Sequence, residues 1–195
     1  MKTVSPLEDI YVTGMLGNYI NKEKNEFITI KEQNNLNIFE IIHSNNDGVP
    51  GQEIIFDNLK LPVSCNQVSF NQLNRLIWIG PGKSLLISED KDCDVKLRSI
   101  KDKEHFNLTD QSNSKIIIQI SGDNVLNLLK KGSPLNFDKF AINSGASTTF
   151  FGIHLIFDII EENPLAINLL APRSFAHSFY EALTDAALEF GAKIK

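Results

Sequence analysis

Four histidines, two cysteines and two carboxylate pairs are the residues of this chain best suited to acid–base, nucleophilic or metal chemistry. The histidines are His43, His105, His154 and His177. No two of them stand three or four apart, as two ligands on one helical face would, and none neighbours a cysteine. The cysteines, Cys65 and Cys93, are far apart and form no CxxC pair. The spacing therefore argues against a zinc centre, and it fits thiols kept in a reducing compartment. A single disulfide between them stays open.

His154 lies in an apolar run, Phe151-Gly152-Ile153-His154-Leu155-Ile156. A tuned acid–base group or a hydrogen bond to a partner is one reading. The plainer one is a histidine on the polar face of an alternating strand. Asp92 and Asp94 flank Cys93, and Glu161 and Glu162 are adjacent. Paired carboxylates can do general acid–base work. Both pairs, however, sit where a helix start or a turn is expected, and acidic residues gather there for local reasons. Gly80-Pro81-Gly82-Lys83 and Gly122-Asp123 could touch phosphate, but without a strand-to-helix phosphate loop around them a turn is the better reading. Dinucleotide, phosphate-loop, zincin and serine-elbow motifs are all missing.

The elements that would have to position these groups read as an α+β chain. Residues 1–20 look like an irregular arm: Ile10, Tyr11, Val12, Met15, Leu16, Tyr19 and Ile20 are apolar, while Gly14 and Gly17 interrupt any helix. So apolar an arm must pack on its own domain or on a partner. Residues 21–195 are expected to form a single α+β domain. Glu26–Ile30 and Leu36–Ile42 read as strands, and Asn45-Asn46-Asp47-Gly48 as a turn. Pro50–Gln72 is poorly periodic. Leu73–Ile79 and Ser84–Ser88 form a hairpin through Gly80–Lys83, and Cys93–Phe106 a helix.

Next come a strand at Lys115–Ile120 and a helix at Asp123–Lys131, with Gly132 placed for a left-handed cap. Thr148–Ile160 and Leu165–Ala171 make a hairpin, or a bent strand plus a hairpin, with Phe150 and Phe151 pointing to opposite faces. Pro172 ends the strand, and Ser174 is the natural N-cap of a helix running to Phe190 and stopped by Gly191. On a helical wheel Phe175, Phe179, Ala182, Leu183, Ala186 and Phe190 share the buried face, opposite His177, Glu181, Thr184 and Leu188. The pattern is thus two hairpin–helix halves around a central strand–helix unit, built on a mainly antiparallel sheet with helices packed on one face.

At 195 residues with a net charge of −5, the chain can bury a real core, and basic residues do not gather on one predicted face. Nucleic acid is therefore a poor partner. The longest apolar run, Phe150–Ile160, is broken by His154 and Asp158 and is too short for a bilayer. The start has no apolar signal core. No membrane association and a cytoplasmic location are expected.

Several short phrases recur in order along the chain: Ser5-Pro6-Leu7, Leu61-Pro62, Trp78-Ile79-Gly80-Pro81 with Leu85-Leu86, and Asp110-Gln111-Ser112. They continue with Ile120-Ser121-Gly122, Lys131-Gly132-Ser133-Pro134-Leu135, Gly145, and Arg173-Ser174-Phe175-Ala176. Together they resemble the gamma subunit of heterotetrameric sarcosine oxidase, most closely after Asp110. The resemblance implies a non-catalytic, structural chain of a cytoplasmic bacterial enzyme that oxidatively demethylates sarcosine to glycine. In that enzyme the one-carbon unit passes to tetrahydrofolate, with hydrogen peroxide as co-product. It implies alpha, beta and delta partner subunits, with FAD, covalent FMN, NAD, zinc and tetrahydrofolate on those other chains. It also implies no catalytic, cofactor-binding or metal residue in this one. The family is similar in fold to the folate-binding domain of the glycine-cleavage aminomethyltransferase, so a stand-alone folate-binding or aminomethyltransferase-like module is the alternative. One residue departs from the family pattern: Asn136 follows the Pro-Leu pair where Asp is usual. That removes a carboxylate a folate site could have used.

Overall fold

The computed structural model describes residues 4–20, 22–23, 26–43, 54–104 and 106–195. In chain order its strands are β1 (Gly14–Leu16), β2 (Ile28–Gln33), β3 (Asn37–His43), β4 (Ile55–Phe56), β5 (Leu59–Lys60), β6 (Val68–Phe70), β7 (Asn74–Gly80) and β8 (Lys83–Ser88). Helix α1 (Cys93–Glu104), strands β9 (Phe106–Asp110) and β10 (Lys115–Ser121) and helix α2 (Val125–Gly132) follow. The chain closes with β11 (Gly145–Phe150), β12 (Ile153–Glu162), β13 (Leu165–Pro172), helix α3 (Ala176–Ala187) and β14 (Ala192–Ile194). This is the α+β, mainly antiparallel architecture read from the sequence. The proposed turn at Asn45–Gly48, and His105, lie outside the described residues.

The chain forms two compact units. The first comprises Met1–Asn34, Asn113–Ile142 and Ser147–Lys195, the second Asn35–Ser112 and Asn143–Ala146. In the first, seven strands run in the order β1-β14-β2-β10-β13-β12-β11. Among the pairings that join β1, β14, β2, β10, β13 and β12, only β14 with β2 is parallel. The register lays Ile194, Ile30, Ile120, Ile167 and Ile159 side by side across five strands, each almost fully buried. Burying that row contributes about 8–15 kcal/mol before chain entropy is subtracted. Helix α2 buries Val125, Leu128 and Leu129, and α3 buries Phe179, Tyr180 and Leu183.

In the second unit five strands run β6-β7-β8-β3-β9, with β4 and β5 paired as a short ribbon. Its core joins Phe39, Ile41, Leu76 and Leu86 of the sheet to Cys93 and Leu97 of α1 and to Phe56, Leu59 and Leu61. The two hairpin–helix halves seen in the sequence thus stand in two sheets, β7–β8–α1 in one and β12–β13–α3 in the other.

The remaining differences from the sequence reading have local causes. Helix α1 stops at Glu104, because Phe106 begins β9 and is buried in the sheet core. The residues Phe150 and Phe151 do not alternate across a sheet. Phe151 and Gly152 form the two-residue turn between β11 and β12, with φ of +46° and +81°, and the two phenyl rings meet edge to face at 4.8 Å. Gly132 is no left-handed cap. It closes α2 without a positive φ, and its missing side chain is what matters: a Cβ there would lie 2.7 Å from the Phe151 ring and 2.8 Å from the Phe150 ring. Ser174 does not cap α3. Arg173–Phe175 is a single 3-10 turn, which breaks the helical phase and leaves Phe175 51 % exposed. Two short strands, β1 and β14, were invisible in the pattern, since three residues show no periodicity.

Candidate functional site

Among the described residues, the sequence-level candidates do not converge on one another. His154 is exposed on β12, as a histidine on an alternating strand would be. His177 is exposed on α3, with Nε2 2.8 Å from the Pro6 carbonyl oxygen. That oxygen can only accept, so Nε2 carries the proton. His43 is half-buried at the end of β3. Asp94 lies in the first turn of α1 and pairs with Arg98 four residues on, at 2.7 Å. The perturbed carboxylate in this region is Asp90: its hydrogen bond to the Lys96 ammonium holds it below the usual carboxylate range and raises Lys96. Cys93 is buried, and desolvation pushes its thiol up to about 11, so it is no nucleophile. Cys65 is exposed, and both cysteines are free thiols. Glu161 and Glu162 end β12, and Glu162 Oε1 accepts from the Ile142 amide at 3.3 Å. Asp158, also on β12, is fully buried. Among the described residues, no three His, Cys, Asp or Glu side chains gather closely enough to hold a metal ion, and no helix is long and apolar enough to cross a membrane.

The recurring phrases tie segments together. Arg173 donates from its guanidinium to the Val4 carbonyl and from its backbone N–H to the Ser114 carbonyl at 2.8 Å. With His177 on Pro6, this fixes the Ser5-Pro6-Leu7 phrase, and Leu7 is completely buried. Ser5 Oγ donates to the Glu32 carboxylate at 2.7 Å. The Tyr11 hydroxyl, its pKa raised chiefly by desolvation, donates to the Lys195 carbonyl at 2.9 Å and accepts from the Glu32 amide. The N-terminal arm therefore packs on its own unit and ends as edge strand β1. At the next phrase, Ser133 Oγ lies 2.9 Å from Thr148 Oγ1, and Phe137 packs edge-on against Phe157 at 5.1 Å. Asn136 is an exposed local cap: its Oδ1 accepts from the Asp138 amide at 3.2 Å.

One phrase, Ser121-Gly122, does line a cavity. The cavity has a volume of about 440 Å³ and is walled by Phe27, Thr29, Ser121, Gly122, Pro164, Lys193 and Lys195, all in the first unit. It opens on the sheet face opposite the isoleucine row. Lys193, Thr29 and Ser121 are cross-strand neighbours on β14, β2 and β10. Lys195 lies two residues beyond Lys193, so its side chain leaves the same face. Glu161 ends this row beyond Ala166, two strands from Ser121 and outside the lining. The lining holds two ammonium groups and two hydroxyls, a set suited to binding an anion. The sequence touched it only at Gly122-Asp123, weighed as a phosphate contact and read as a turn; the lysines and hydroxyls stayed hidden because β14 is too short to read and the row forms only through strand register.

The family model described as sarcosine oxidase, gamma subunit, matches residues 54–189. No curated protein matches the chain. Among solved structures, a chain of the heterotetrameric sarcosine oxidase from Corynebacterium sp. U-96, in complex with pyrrole 2-carboxylate, superposes with a TM-score of 0.80 at 20 % identity, covering 96 % of each chain. The glycine cleavage system aminomethyltransferase T from Bartonella henselae superposes with a TM-score of 0.61 at 8 % identity, over 86 % of this chain and 47 % of the other. These likenesses in structure show a shared fold, and the match over residues 54–189 shows the lineage: the chain belongs to the sarcosine oxidase gamma subunit family.

Proposed function

We propose that the chain is the structural, non-catalytic gamma subunit of a cytoplasmic heterotetrameric sarcosine oxidase. The observation that carries this reading is where the family phrases are used. Arg173, His177, Ser5, Leu7, Gly132 and Ser133 are engaged in packing and in joining distant segments, and they do not converge around a reacting centre. The chemistry then belongs to partner chains of the alpha, beta and delta type, which carry FAD, FMN, NAD, zinc and the tetrahydrofolate site. This chain supplies no catalytic, cofactor-binding or metal residue. Co-expression with those subunits tests the assignment, with turnover measured per assembled flavin. His154→Ala, an exposed substitution, is expected to leave turnover within a few-fold, whereas losing a true acid–base group costs about 10²–10⁴-fold. A collapse of turnover with the complex intact would refute the structural role.

The aminomethyltransferase-like fold favours a second reading, a stand-alone folate-binding module. Calorimetric titration of the isolated chain with tetrahydrofolate separates the two: the structural reading expects no saturable binding.

A further inference from the structure

We infer that the cavity walled by Phe27, Thr29, Ser121, Pro164, Lys193 and Lys195 is a binding site for a small molecule that carries an oxyanion on a flat apolar body. Its size falls in the range of ligand pockets. The sign of its charge is the first argument. The whole chain carries a net charge of −5, yet the lining holds two lysines and no acidic residue. A positive recess in a negative protein attracts an anion that the surrounding surface repels.

The donor arrangement is the second argument. Lys193, Thr29 and Ser121 are neighbours on three adjacent strands, so an ammonium and two hydroxyls follow one another at the inter-strand spacing of about 4.8 Å. Among the described residues, neither hydroxyl and neither lysine ammonium has a hydrogen-bond or ion-pair partner. Of the nearby carboxylates, Asp123 and Glu161 lie outside the lining, and two others are engaged elsewhere. The Glu26 carboxylate accepts from the Glu23 amide at 2.6 Å, and Glu32, one residue out of phase with Thr29, is held by Ser5. The Lys195 carbonyl is engaged by the Tyr11 hydroxyl.

The walls are the third argument. Phe27 and Pro164, both half-buried, give the recess apolar sides. A bare inorganic ion would leave those sides wet, while a ring bearing a carboxylate or phosphate would cover them. A carboxylate and a phosphate ester both meet these requirements, and the probes distinguish them. The inference is independent of the subunit role, since a structural chain can hold a ligand.

The test is an amide-resolved NMR titration of the full-length chain with phenyl phosphate, benzoate and inorganic phosphate. Saturable shifts confined to residues around Thr29, Ser121, Gly122 and Lys193 are expected, with phenyl phosphate or benzoate binding more tightly than inorganic phosphate. The tighter of the two aromatic probes identifies the oxyanion. Lys193→Ala should weaken the better probe by about tenfold or more, the loss of one charge-assisted hydrogen bond. Lys193→Arg should stay within about threefold. Phe27→Leu should narrow the preference for the aromatic probe. Lys193 is exposed, so its variants keep the fold, and unchanged spectra elsewhere verify this. Lys130→Ala, outside the cavity, is the control and should change nothing. Shifts that do not saturate or that spread over the surface, or an equal loss in Lys130→Ala, would overturn the assignment.

Discussion

In the seven-stranded unit, Arg173 and His177 reach back to Val4 and Pro6, 169 and 171 residues away in sequence. In the five-stranded unit, the Asp110-Gln111-Ser112 phrase closes strands that already pair. Ser112 Oγ accepts from the Ile38 amide, and the Gln111 amide donates to the Ile38 carbonyl, at the end of the β3–β9 ladder. The first unit also buries its aromatics in linked pairs, Phe137 with Phe157 and Phe150 with Phe179. The core of the second is mostly aliphatic. The difference teaches that two family phrases can serve different structural ends: one ties the start of the chain into a distant part of its unit, the other finishes a local turn.

The largest expected effect sits in the aromatic core. Phe179→Ala should destabilise the fold by about 3–5 kcal/mol, since a fully buried ring edge-on to Phe150 leaves a cavity. Glu181→Ala, on the exposed face of α3, should stay within about 0.5 kcal/mol. Chemical denaturation ranks the two, and the reverse order would break the claim that linked aromatic pairs stabilise the core of the first unit.

A smaller effect tests how that packing is assembled. Gly132→Ala places a methyl against the Phe150 and Phe151 rings, and overpacking of this kind costs about 1–3 kcal/mol. Helix propensity offsets up to about 1 kcal/mol of it. The fully buried Phe150 cannot yield, whereas Phe151 is 53 % exposed and can. Its backbone is held in the left-handed region, which a bulky side chain rarely adopts, by the hydrogen bond from its amide to the Gly132 carbonyl at 2.8 Å. A double-mutant cycle with Phe151→Ala should recover part of the loss. Strict additivity would mean the contact carries no energy.

The long, strongly patterned elements were legible. The strand Lys115–Ser121 is rich in isoleucine, the β7–β8 hairpin is announced by Gly-Pro-Gly, and α3 carries its apolar stripe in the sequence. Other features were hidden because they depend on tertiary context. Arg173–Phe175 takes a 3-10 turn because the chain leaves β13 and is tied to Ser114 and Val4 before α3 begins. The Phe151–Gly152 turn looks like continuous strand until the socket at Gly132 is known. The lysine-lined recess was hidden more deeply still, because Lys193, Thr29 and Ser121 become neighbours only when β14 adds to β2 in parallel.

The second unit offers a pH- and reactivity-based probe. Burial raises the Cys93 thiol from 9.0 to about 11, while Cys65 is exposed. A thiol reagent at pH 8 should therefore label exposed Cys65 readily, and label Cys93 about a hundredfold more slowly in the native than in the denatured protein, from the smaller thiolate fraction alone. Denaturant should equalise them. The sign of the linked stability follows from the raised folded value. Between pH 9 and 11 the native state keeps a proton that the unfolded state releases. The contribution is complete below pH 9 and is lost as pH rises through 11. Equal labelling of both thiols in the native protein would show that the α1 start opens easily and that the aliphatic core is the looser of the two.

The smallest effect concerns the one departure from the family pattern. If the phrase around Asn136 serves packing, as its neighbours Gly132, Ser133 and Phe137 do, the Asn–Asp difference should be nearly neutral. Asn136 accepts a hydrogen bond from the Asp138 amide through Oδ1, and an aspartate oxygen can accept the same bond. Asn and Asp are close to equal as caps, so Asn136→Asp should lie within about 0.5 kcal/mol of the parent. The introduced charge would face Asp138, but Asp138 is already paired with Lys130 at 2.8 Å, which limits the repulsion. Asn136→Ala removes the acceptor and should cost about 0.5–2 kcal/mol, as a lost cap does. Denaturation midpoints for the three proteins decide it. Should Asn136→Asp also create saturable tetrahydrofolate binding in the isolated chain, the residue would belong to a ligand site, and the packing role assigned to this phrase would fail at this position.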